Sequence, residues 1–299
     1  MSRRITTLAA AAVSAALIAS LAGCASNTDS ENESAAGETV KIGVVGKSDP
    51  QWTAFEKAAE AEGIDVEIID FGSYEQPNPA LAEGELDLNQ FQHIVYLAQY
   101  NAASGEDLQP IGATAIYPLG LYSQKYDDVD DIPEGETIAV PDDASNQARA
   151  LLVLQSAGLI ELKSGGTIVS DLADVDTEKS KVKVTALEAA LIPTALPDVA
   201  AAIINNDFVG DAGLSFDDAI AQDDPSDPNA LPYVNIFAAR ADDADNETYL
   251  KLVEIFQTDQ AVQDGVLEAS GDTAVLLQTP AADLQASLDK VLEDTAIEK

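Results

Sequence analysis

The chain has 299 residues, which is long enough for two α/β units, and its 53 acidic residues against 15 basic ones give a formal net charge of −38. Such a surface repels nucleic acid and anionic lipid headgroups, so neither is expected as a partner of the folded part. The single cysteine excludes a disulfide within the chain. We interpret the acidity as a solubility or salt adaptation of an exported protein, and an acidic recognition face is the alternative.

The N-terminal segment has the composition of a secretory signal and not of a folded element. Arg3 and Arg4 precede an apolar run over residues 8–22, and the letters LAG lead directly into Cys24. This ending resembles the bacterial lipobox, in which a peptidase cleaves before the cysteine and the thiol then carries a lipid. The sequence therefore predicts a signal peptide over residues 1–23 and lipidation of Cys24, with export by the general or the twin-arginine route.

The segment after the signal is a predicted tether. Residues 24–38 are small, polar and acidic, a composition typical of flexible linkers. No later stretch approaches the roughly 18 consecutive apolar residues of a membrane span. We therefore expect the lipid to be the only anchor, and the globular part to stand on the extracytoplasmic face of the cell membrane.

The first part of the globular region alternates between strand and helix patterns. Strands are predicted over residues 41–45, 66–70 and 108–114, and helices over residues 50–62 and 93–102. Between them, the stretch from 73 to 91 predicts a turn, a short helix and a third short strand. The letters YPLGLYS (117–123) predict an extended segment with a glycine hinge.

The loop after the first strand contains Gly46-Lys47-Ser48, the letters that end a nucleotide-binding P-loop. The first glycine of that motif would fall on Lys41, so the spacing argues against a phosphate site. We expect Ser48 or Asp49 to cap a helix whose first turn includes Pro50. A helix N-terminus beside a lysine favours an anion, so this loop is predicted near a ligand carboxylate or at the mouth of a cleft.

The second part repeats the alternation of strands and helices. Strands are predicted over residues 137–140, 182–187 and 199–205, helices over 146–157 and 188–196, and a long crossing strand over 232–240. Two amphipathic helices close the chain, with apolar stripes formed by Leu250, Val253 and Phe256 and by Leu284, Leu288, Val291 and Leu292. The pattern predicts two α/β lobes joined by two extended segments, which suits a ligand clamped in a cleft.

Residues for catalysis and metal binding are sparse. His93 is the only histidine, no cysteine nucleophile follows the signal, and the chain has no Gly-x-Ser-x-Gly elbow. A zinc site needs about three ligands, and the acidic stretch DDVDDIPEGE lacks the order of an EF-hand calcium loop. The sequence predicts a binding protein and not an enzyme, without catalytic residues, metal or cofactor.

Five segments carry a resemblance to a known family. They are SYEQPNPALAEGELDLNQFQHIVYL (73–97), YPLGLYS (117–123), IAVPDDASNQARALLVLQSAGLIEL (138–162), VTALEAALIPTALPDVAAAIINNDF (184–208) and PYVNIFAAR (232–240). In these segments the chain resembles the NlpA/MetQ family, the lipid-anchored substrate-binding proteins of methionine ABC importers. The combination of QPN, FQH, SNxxRALLxLQ and PYVN is more specific than any one of them. The resemblance covers nearly the whole globular part.

The resemblance implies a type II periplasmic-binding-protein-like α/β fold. Lobe 1 would comprise residues 39–121 and 236–299, and lobe 2 residues 122–235. The protein would capture L-methionine or a similar amino acid or short peptide and deliver it to an ABC permease whose ATPase is a separate polypeptide. A surface adhesin and a solute sensor remain alternatives. The chain departs from the family over residues 45–50, where many members have Gly-Pro-His, and at Tyr117-Pro118.

The resemblance assigns polar ligand contacts to one arginine and three asparagines. Arg149 would bind the carboxylate close behind a helix start, with Ser145 as the expected N-cap. After the signal only one other arginine, Arg240, occurs. Asn235 and Asn205 would hydrogen-bond the amino or carboxylate group of the ligand. Asn146 either contacts the ligand or only serves the helix start.

Four ring-bearing residues complete the predicted ligand contacts. His93, Phe91 and Tyr96 lie in and just after FQH, and Tyr74 lies in SYEQPN. Aromatic rings attract a thioether by about 0.3–1.5 kcal/mol, so they suit a methionine side chain. Phe91 and Tyr96 are explained equally well as ordinary core residues, whereas the turn-rich setting of Tyr74 argues against a central core position.

Overall fold

The computed structural model describes residues 39–227 and 230–297. The predicted signal peptide, the tether up to residue 38 and the lipidation of Cys24 lie outside these residues. Within the described part, no helix has both the length and the apolar character that crossing a membrane requires.

Strands β1 to β12 and helices α1 to α9 alternate along the described chain. The strands are β1 Val40–Val44, β2 Val66–Asp70, β3 Leu88–His93, β4 Leu108–Ala113, β5 Ala115–Ile116, β6 Gly120–Tyr122, β7 Thr137–Pro141, β8 Lys183–Leu187, β9 Ala201–Ile204, β10 Ala221–Gln222, β11 Asn235–Arg240 and β12 Val275–Leu276. The helices are α1 Pro50–Ala61, α2 Pro77–Ala82, α3 Ile94–Ser104, α4 Ala144–Ser156, α5 Ile192–Ala195, α6 Asn206–Val209, α7 Glu247–Thr258, α8 Gln260–Ala269 and α9 Ala281–Ile297. Short 3-10 turns occupy several of the loops.

Two five-stranded sheets organise the fold. The first has the order β2-β1-β3-β11-β4, in which β1 runs parallel to β2 and β3 while β11 runs antiparallel to both of its neighbours. The second has the order β10-β6-β9-β7-β8, in which β7 runs parallel to β8 and β9. The chain passes to the second sheet between β5 and β6 and returns at β11. This arrangement confirms the predicted two-lobed α/β fold.

The parallel strands place their carboxyl ends together, where open α/β sheets hold ligands. The loop after β1 and the start of α3 after β3 therefore lie at one edge of the first sheet. In the second sheet, the loops after β7 and β9 lead into α4 and α6 in the same way. All six residues of β3 are buried, because both faces of this strand are covered.

The core of the first lobe is aromatic and includes the buried face of α1. Trp52 and Phe55 on α1 pack against Phe256 of α7, with ring centroids 5.7 Å apart in both pairs. Phe237 of β11 completes the cluster, 5.3 Å from Phe256. These buried rings fix α1 and α7 on the same face of the first sheet.

Several predicted elements differ from the structure for identifiable reasons. The long strand predicted over 232–240 begins only at Asn235, because residues 231–233 form a 3-10 turn around Pro232. The helix predicted over 188–196 is a succession of short turns, since Pro193 and Pro197 interrupt its hydrogen bonding. Leu250 is 38% exposed and lies outside the buried stripe of α7.

Candidate ligand-binding site

The eight predicted ligand contacts all line one cavity between the two sheets, which we call the amide pocket. They are Tyr74, Phe91, His93, Tyr96, Asn146, Arg149, Asn205 and Asn235, and the wall is completed by Gln92, Tyr117, Pro118, Leu119 and Asn206. Residues up to 161 positions apart in the sequence, from Tyr74 to Asn235, thus meet near the carboxyl ends of the strands. Their contact with a ligand remains a prediction.

Three aromatic rings that contact one another form part of the wall that the first lobe contributes. Tyr74 lies 5.9 Å from Phe91 and 6.3 Å from Tyr96 between ring centroids, and Phe91 lies 5.6 Å from Tyr96. The Tyr96 hydroxyl donates to the backbone oxygen of Tyr74 at 3.0 Å. Tyr74 is only 8% exposed and also packs on Phe208 of the second lobe. The expectation that Tyr74 lies outside the core is therefore wrong, because it belongs to a cluster shared by both lobes.

A buried network of amides supports this wall from behind. Asn78 donates to Gln92 Oε1 at 2.7 Å, and Gln92 donates back to Asn78 Oδ1 at 2.6 Å and to Asn89 Oδ1 at 2.9 Å. Asn89 in turn donates to Asn78 Oδ1 at 2.9 Å. Each buried amide is costly without a partner, so this mutual bonding fixes α2 against β3. The network joins Asn78 of the QPN motif to Gln92 of the FQH motif. The sequence did not predict this contact.

His93 joins the two lobes as a neutral imidazole. It caps α3, where its Nδ1 accepts from the backbone N–H of Tyr96 at 3.2 Å. The proton is therefore on Nε2, which lies 3.3 Å from Asn146 Oδ1 and donates to it. Burial, together with the positive charge of Arg149, lowers the pKa of His93 to about 3. His93 is thus an uncharged donor at physiological pH.

Asn146 connects the helix start with the pocket. The N-cap of α4 is Asp143 and not Ser145, since Asp143 accepts from the backbone N–H of Asn146 at 2.9 Å. The Asn146 side chain donates to the Asp143 carboxylate, and its Oδ1 accepts from Asn205 Nδ2 at 3.0 Å. Asn146 therefore serves both the helix start and the pocket. Among the described residues Asn205 Oδ1 is buried and has no donor, so it is an open acceptor in the pocket.

Arg149 is held on three sides. Its Nε forms an ion pair with Asp223 Oδ2 at 2.6 Å, and its Nη2 donates to the backbone oxygen of Tyr117 at 2.8 Å. The ring of Tyr233 lies 4.5 Å from the guanidinium carbon. In the part of the chain that the structure describes, Nη1 forms no hydrogen bond, so it remains available to a carboxylate. The sequence did not predict Asp223 as the partner of Arg149. Tyr233 lies in the PYVN motif, but its contact with Arg149 was not predicted either.

Asn235 is fixed through its backbone. It pairs with His93 across the β11–β3 ladder, and its carbonyl accepts from Thr114 N at 2.8 Å and from Thr114 Oγ1 at 3.1 Å. Gln90 Nε2 donates to the same threonine hydroxyl, Thr114 Oγ1, at 3.1 Å. With the backbone satisfied in this way, the side-chain amide of Asn235 lines the pocket.

The amide pocket is nearly filled by its own walls. Its cavity volume is about 20 Å³, which is room for one water molecule. A second, larger cavity of about 430 Å³ adjoins it and shares Phe91, Tyr117, Asn206 and Asn235. We call this second space the acidic cavity, because aspartates line it.

The Gly46-Lys47-Ser48 loop lies at the acidic cavity and does not form an anion site. Gly46, Ser48 and Asp49 line this cavity, whereas the Lys47 ammonium turns away and donates to the backbone oxygen of Ile68 at 2.5 Å. Asp49 is the N-cap of α1, with Pro50 in its first turn, although its side chain makes no capping bond. Of the two alternatives for this loop, the structure favours a position at the edge of a cavity, because Gly46, Ser48 and Asp49 line it while the Lys47 ammonium is bonded elsewhere.

The amide pocket has the groups that a zwitterion with an apolar side chain requires. Arg149 supplies a positive donor for a carboxylate, and Asn205 Oδ1 supplies an acceptor for an ammonium group. The three aromatic rings supply an apolar wall on which a flexible side chain could lie.

Comparison with known proteins agrees with this chemistry. A family model described as NlpA lipoprotein matches residues 40–276. A relative from Pasteurella multocida, a probable D-methionine-binding lipoprotein MetQ, is 36% identical over 239 residues, covering 79% of this chain and 85% of the relative. The substrate-binding protein of a methionine transporter from Streptococcus pneumoniae has 35% identity and a TM-score of 0.74, covering 80% of this chain and 95% of its own. A nutrient-binding protein from Burkholderia cenocepacia bound to methionine has 36% identity and a TM-score of 0.72, covering 79% and 99%.

Proposed function

Because the chain belongs to the NlpA lipoprotein family, we propose that it is the lipid-anchored substrate-binding protein of an ABC importer and that it binds L-methionine or a similar amino acid in the amide pocket. One observation carries the proposal. Arg149, whose Nη1 forms no hydrogen bond within the described structure, Asn205, whose Oδ1 is unpaired there, and three aromatic rings all line a single pocket between the lobes. The methionine named for two of the relatives supports the choice of ligand.

Each end of the ligand has a partner in this arrangement. The carboxylate binds Arg149, whose guanidinium is already oriented by Asp223 and by the carbonyl of Tyr117, so little side-chain entropy is lost on binding. The ammonium donates to Asn205 Oδ1. The thioether lies against the aromatic wall, where sulfur and ring edges attract each other.

Binding is coupled to movement of the lobes. With about 20 Å³ of space, the pocket admits an amino acid only when its walls separate. Hydrogen bonds between side chains of the two lobes must then break and re-form, among them those from Tyr74 to Asp207 and from His93 to Asn146. We place lobe 1 at residues 39–121 and 236–299 and lobe 2 at residues 122–235, so the movement occurs about the two crossing segments.

The closed state is the form that a permease would recognise. Ligand contacts from both lobes shift the equilibrium towards closure by their differential affinity for that state. A lipid on Cys24 would hold the protein beside the permease, and a separate ATPase would supply the energy of transport.

Calorimetric titration of the purified protein with single amino acids tests the proposal. We expect saturable heat with L-methionine or D-methionine and weaker binding of L-norleucine, which has the same length but no sulfur. L-glutamate should give no heat, because its second carboxylate meets an acidic surface. Absence of heat with every amino acid tested would show that the proposal is wrong and would favour a surface adhesin.

A further inference from the structure

The acidic cavity carries charge of one sign only. Asp49, Asp70, Asp207 and Asp211 line it, and its lining contains neither lysine nor arginine. Among the residues that the structure describes, none of these four aspartates forms an ion pair. A cavity of about 430 Å³ is within the usual size range of small-molecule sites.

Two of these carboxylates come from opposite lobes. Asp49 follows β1 and begins α1, whereas Asp207 lies on α6 after β9. Asp207 accepts from the Tyr74 hydroxyl at 2.6 Å and from Asn206 Nδ2 at 2.7 Å, but it has no cationic partner. Burial, and then the negative charge of Asp49, raises the pKa of Asp207 to about 7. The charge of Asp49 therefore disfavours the ionised form of Asp207, and a cation between the lobes would relieve this repulsion.

Aromatic rings occupy much of the remaining lining. They are Trp52, Phe71, Phe91, Tyr117, Phe208 and Phe216. The faces of such rings attract soft cations, and aromatic walls combined with carboxylates are the usual means of recognising alkylated ammonium groups. The described residues contain no cluster of three or more metal-ligating side chains, so a hard metal ion has less support than an organic cation.

Unpaired polar atoms at the wall give an independent indication of a ligand. Gln51 and Trp52 line the cavity and are 6% and 2% exposed. Within the described structure, the acceptor Gln51 Oε1 has no hydrogen-bond partner, whereas the unpaired Trp52 Nε1 is a donor and gives no support to a cation. The Gln51 amide is already oriented at this edge, because its Nε2 donates to Asp49 Oδ2 at 3.3 Å. Buried polar atoms are rarely left unpaired without a functional reason.

We propose that the acidic cavity is a second binding compartment, beside the amide pocket, that takes a small organic cation of the alkylammonium or sulfonium class. The cation would lie between Asp49 and Asp207 and against the aromatic rings. This inference goes beyond the proposed function, since it concerns a different compartment and does not require methionine to bind. The cation is either a separate molecule or part of an amino acid whose other end occupies the amide pocket.

Calorimetric titration with tetramethylammonium chloride tests the compartment directly, with sodium chloride at equal concentration as the control for general screening. We expect saturable heat with the organic cation only. Asp207→Asn should weaken this binding by about tenfold or more, because the amide keeps an acceptor for Tyr74 but removes the charge. Asp131→Asn, an exposed carboxylate outside both cavities, is the matched control and should bind as the parent does.

Titration with S-methyl-L-methionine against L-methionine distinguishes the two sources of the cation. Tighter binding of the sulfonium, lost in Asp207→Asn, would assign the cation to the amino-acid ligand, whereas equal binding with intact tetramethylammonium heat would assign it to a separate molecule. If neither cation binds while L-methionine does, the inference is wrong and the proposed function stands. If tetramethylammonium binds and no amino acid does, the proposed function fails and the compartment remains. Thermal unfolding of each variant shows whether it is folded.

Discussion

The amide pocket and the acidic cavity share four residues of lining but differ in how their polar groups are paired. In the amide pocket, His93, Asn146 and Arg149 are all hydrogen-bonded within the protein, and among the described residues Arg149 Nη1 and Asn205 Oδ1 have no partner. In the acidic cavity, carboxylates from both lobes line one space, and none of them forms an ion pair within the described structure. The amide pocket is therefore preorganised for a zwitterionic ligand. The acidic cavity, in contrast, needs a cationic ligand to neutralise its carboxylates.

Replacing Arg149 by alanine should have the largest effect, because the change removes the only cationic group lining the amide pocket. We expect binding of the proposed amino-acid ligand to weaken by about 100-fold or more, corresponding to about 3 kcal/mol. Calorimetry measures this effect. Binding of tetramethylammonium should be retained, since Arg149 does not line the acidic cavity.

Arg240 offers a matched control for that substitution. It pairs with Asp243 and donates to backbone carbonyls of the first lobe, and it lines neither cavity. Arg240→Ala should lower the unfolding temperature without changing the affinity for the amino acid. If the two arginine variants bind the amino acid equally well, Arg149 is not a ligand contact.

Replacing Asp207 by asparagine should change the pH dependence of stability. The folded pKa of about 7 exceeds the unfolded value of 3.8, so the folded state binds more protons between these values and loses stability as pH rises through this range. The Asp207→Asn variant does not lose this stability, because asparagine does not titrate. At pH 7.5 we expect the variant to be more stable than the parent by about 2 kcal/mol, with little difference at pH 4.

Chemical unfolding of the parent and the Asp207→Asn variant at several pH values measures this difference. Asp131→Asn is again the control, because this carboxylate is exposed and lies outside both cavities. If the free energy of unfolding depended on pH in the same way for the parent and the Asp207 variant, burial and Asp49 would not raise the pKa of Asp207.

The residues of the amide pocket were predictable because they lie in motifs that the family shares. The comparisons confirm that resemblance, and the structure brings all eight predicted residues together. Their partners were not predictable. Asp223 lies 74 positions from Arg149 in a chain with 53 acids, so no local pattern distinguishes it from the others. The amide network around Gln92 likewise depends on the pairing of α2 with β3.

Regular elements of the fold were predictable where apolar spacing was uninterrupted. The strand predicted over 66–70 has those bounds in the structure. Helix α8 was missed because Asp259 both ends α7 and caps α8, so two helices follow each other without a loop. The two-residue strands β5, β10 and β12 are defined only by their pairing and have no sequence pattern of their own.

Replacing Asp223 by asparagine should have a smaller effect than losing Arg149 itself. The amide can still accept from Arg149 Nε, but it no longer offsets the guanidinium charge or holds it as firmly. We expect about tenfold weaker binding of the amino acid. Asp224→Asn is the neighbouring control, because that carboxylate bonds to Ser226 and not to Arg149. Equal affinities of the two variants would remove Asp223 from any positioning role.

The smallest predicted effect is that of Gly46→Ala, and comparison with Gly63→Ala separates displacement of the Asp49 carboxylate from backbone strain. Gly46 has a φ of +83°, and a Cβ there would lie 3.1 Å from Asp49 Oδ2, so Gly46→Ala should strain the loop and displace this carboxylate. Gly63 has nearly the same φ, +79°, but no neighbouring atom within 4 Å of such a Cβ. Both substitutions should cost about 1 kcal/mol, or roughly 2 °C in the unfolding temperature. Only Gly46→Ala should also weaken tetramethylammonium binding, because only that change moves Asp49; equal cation binding by the two variants would mean that Asp49 does not contact the cation.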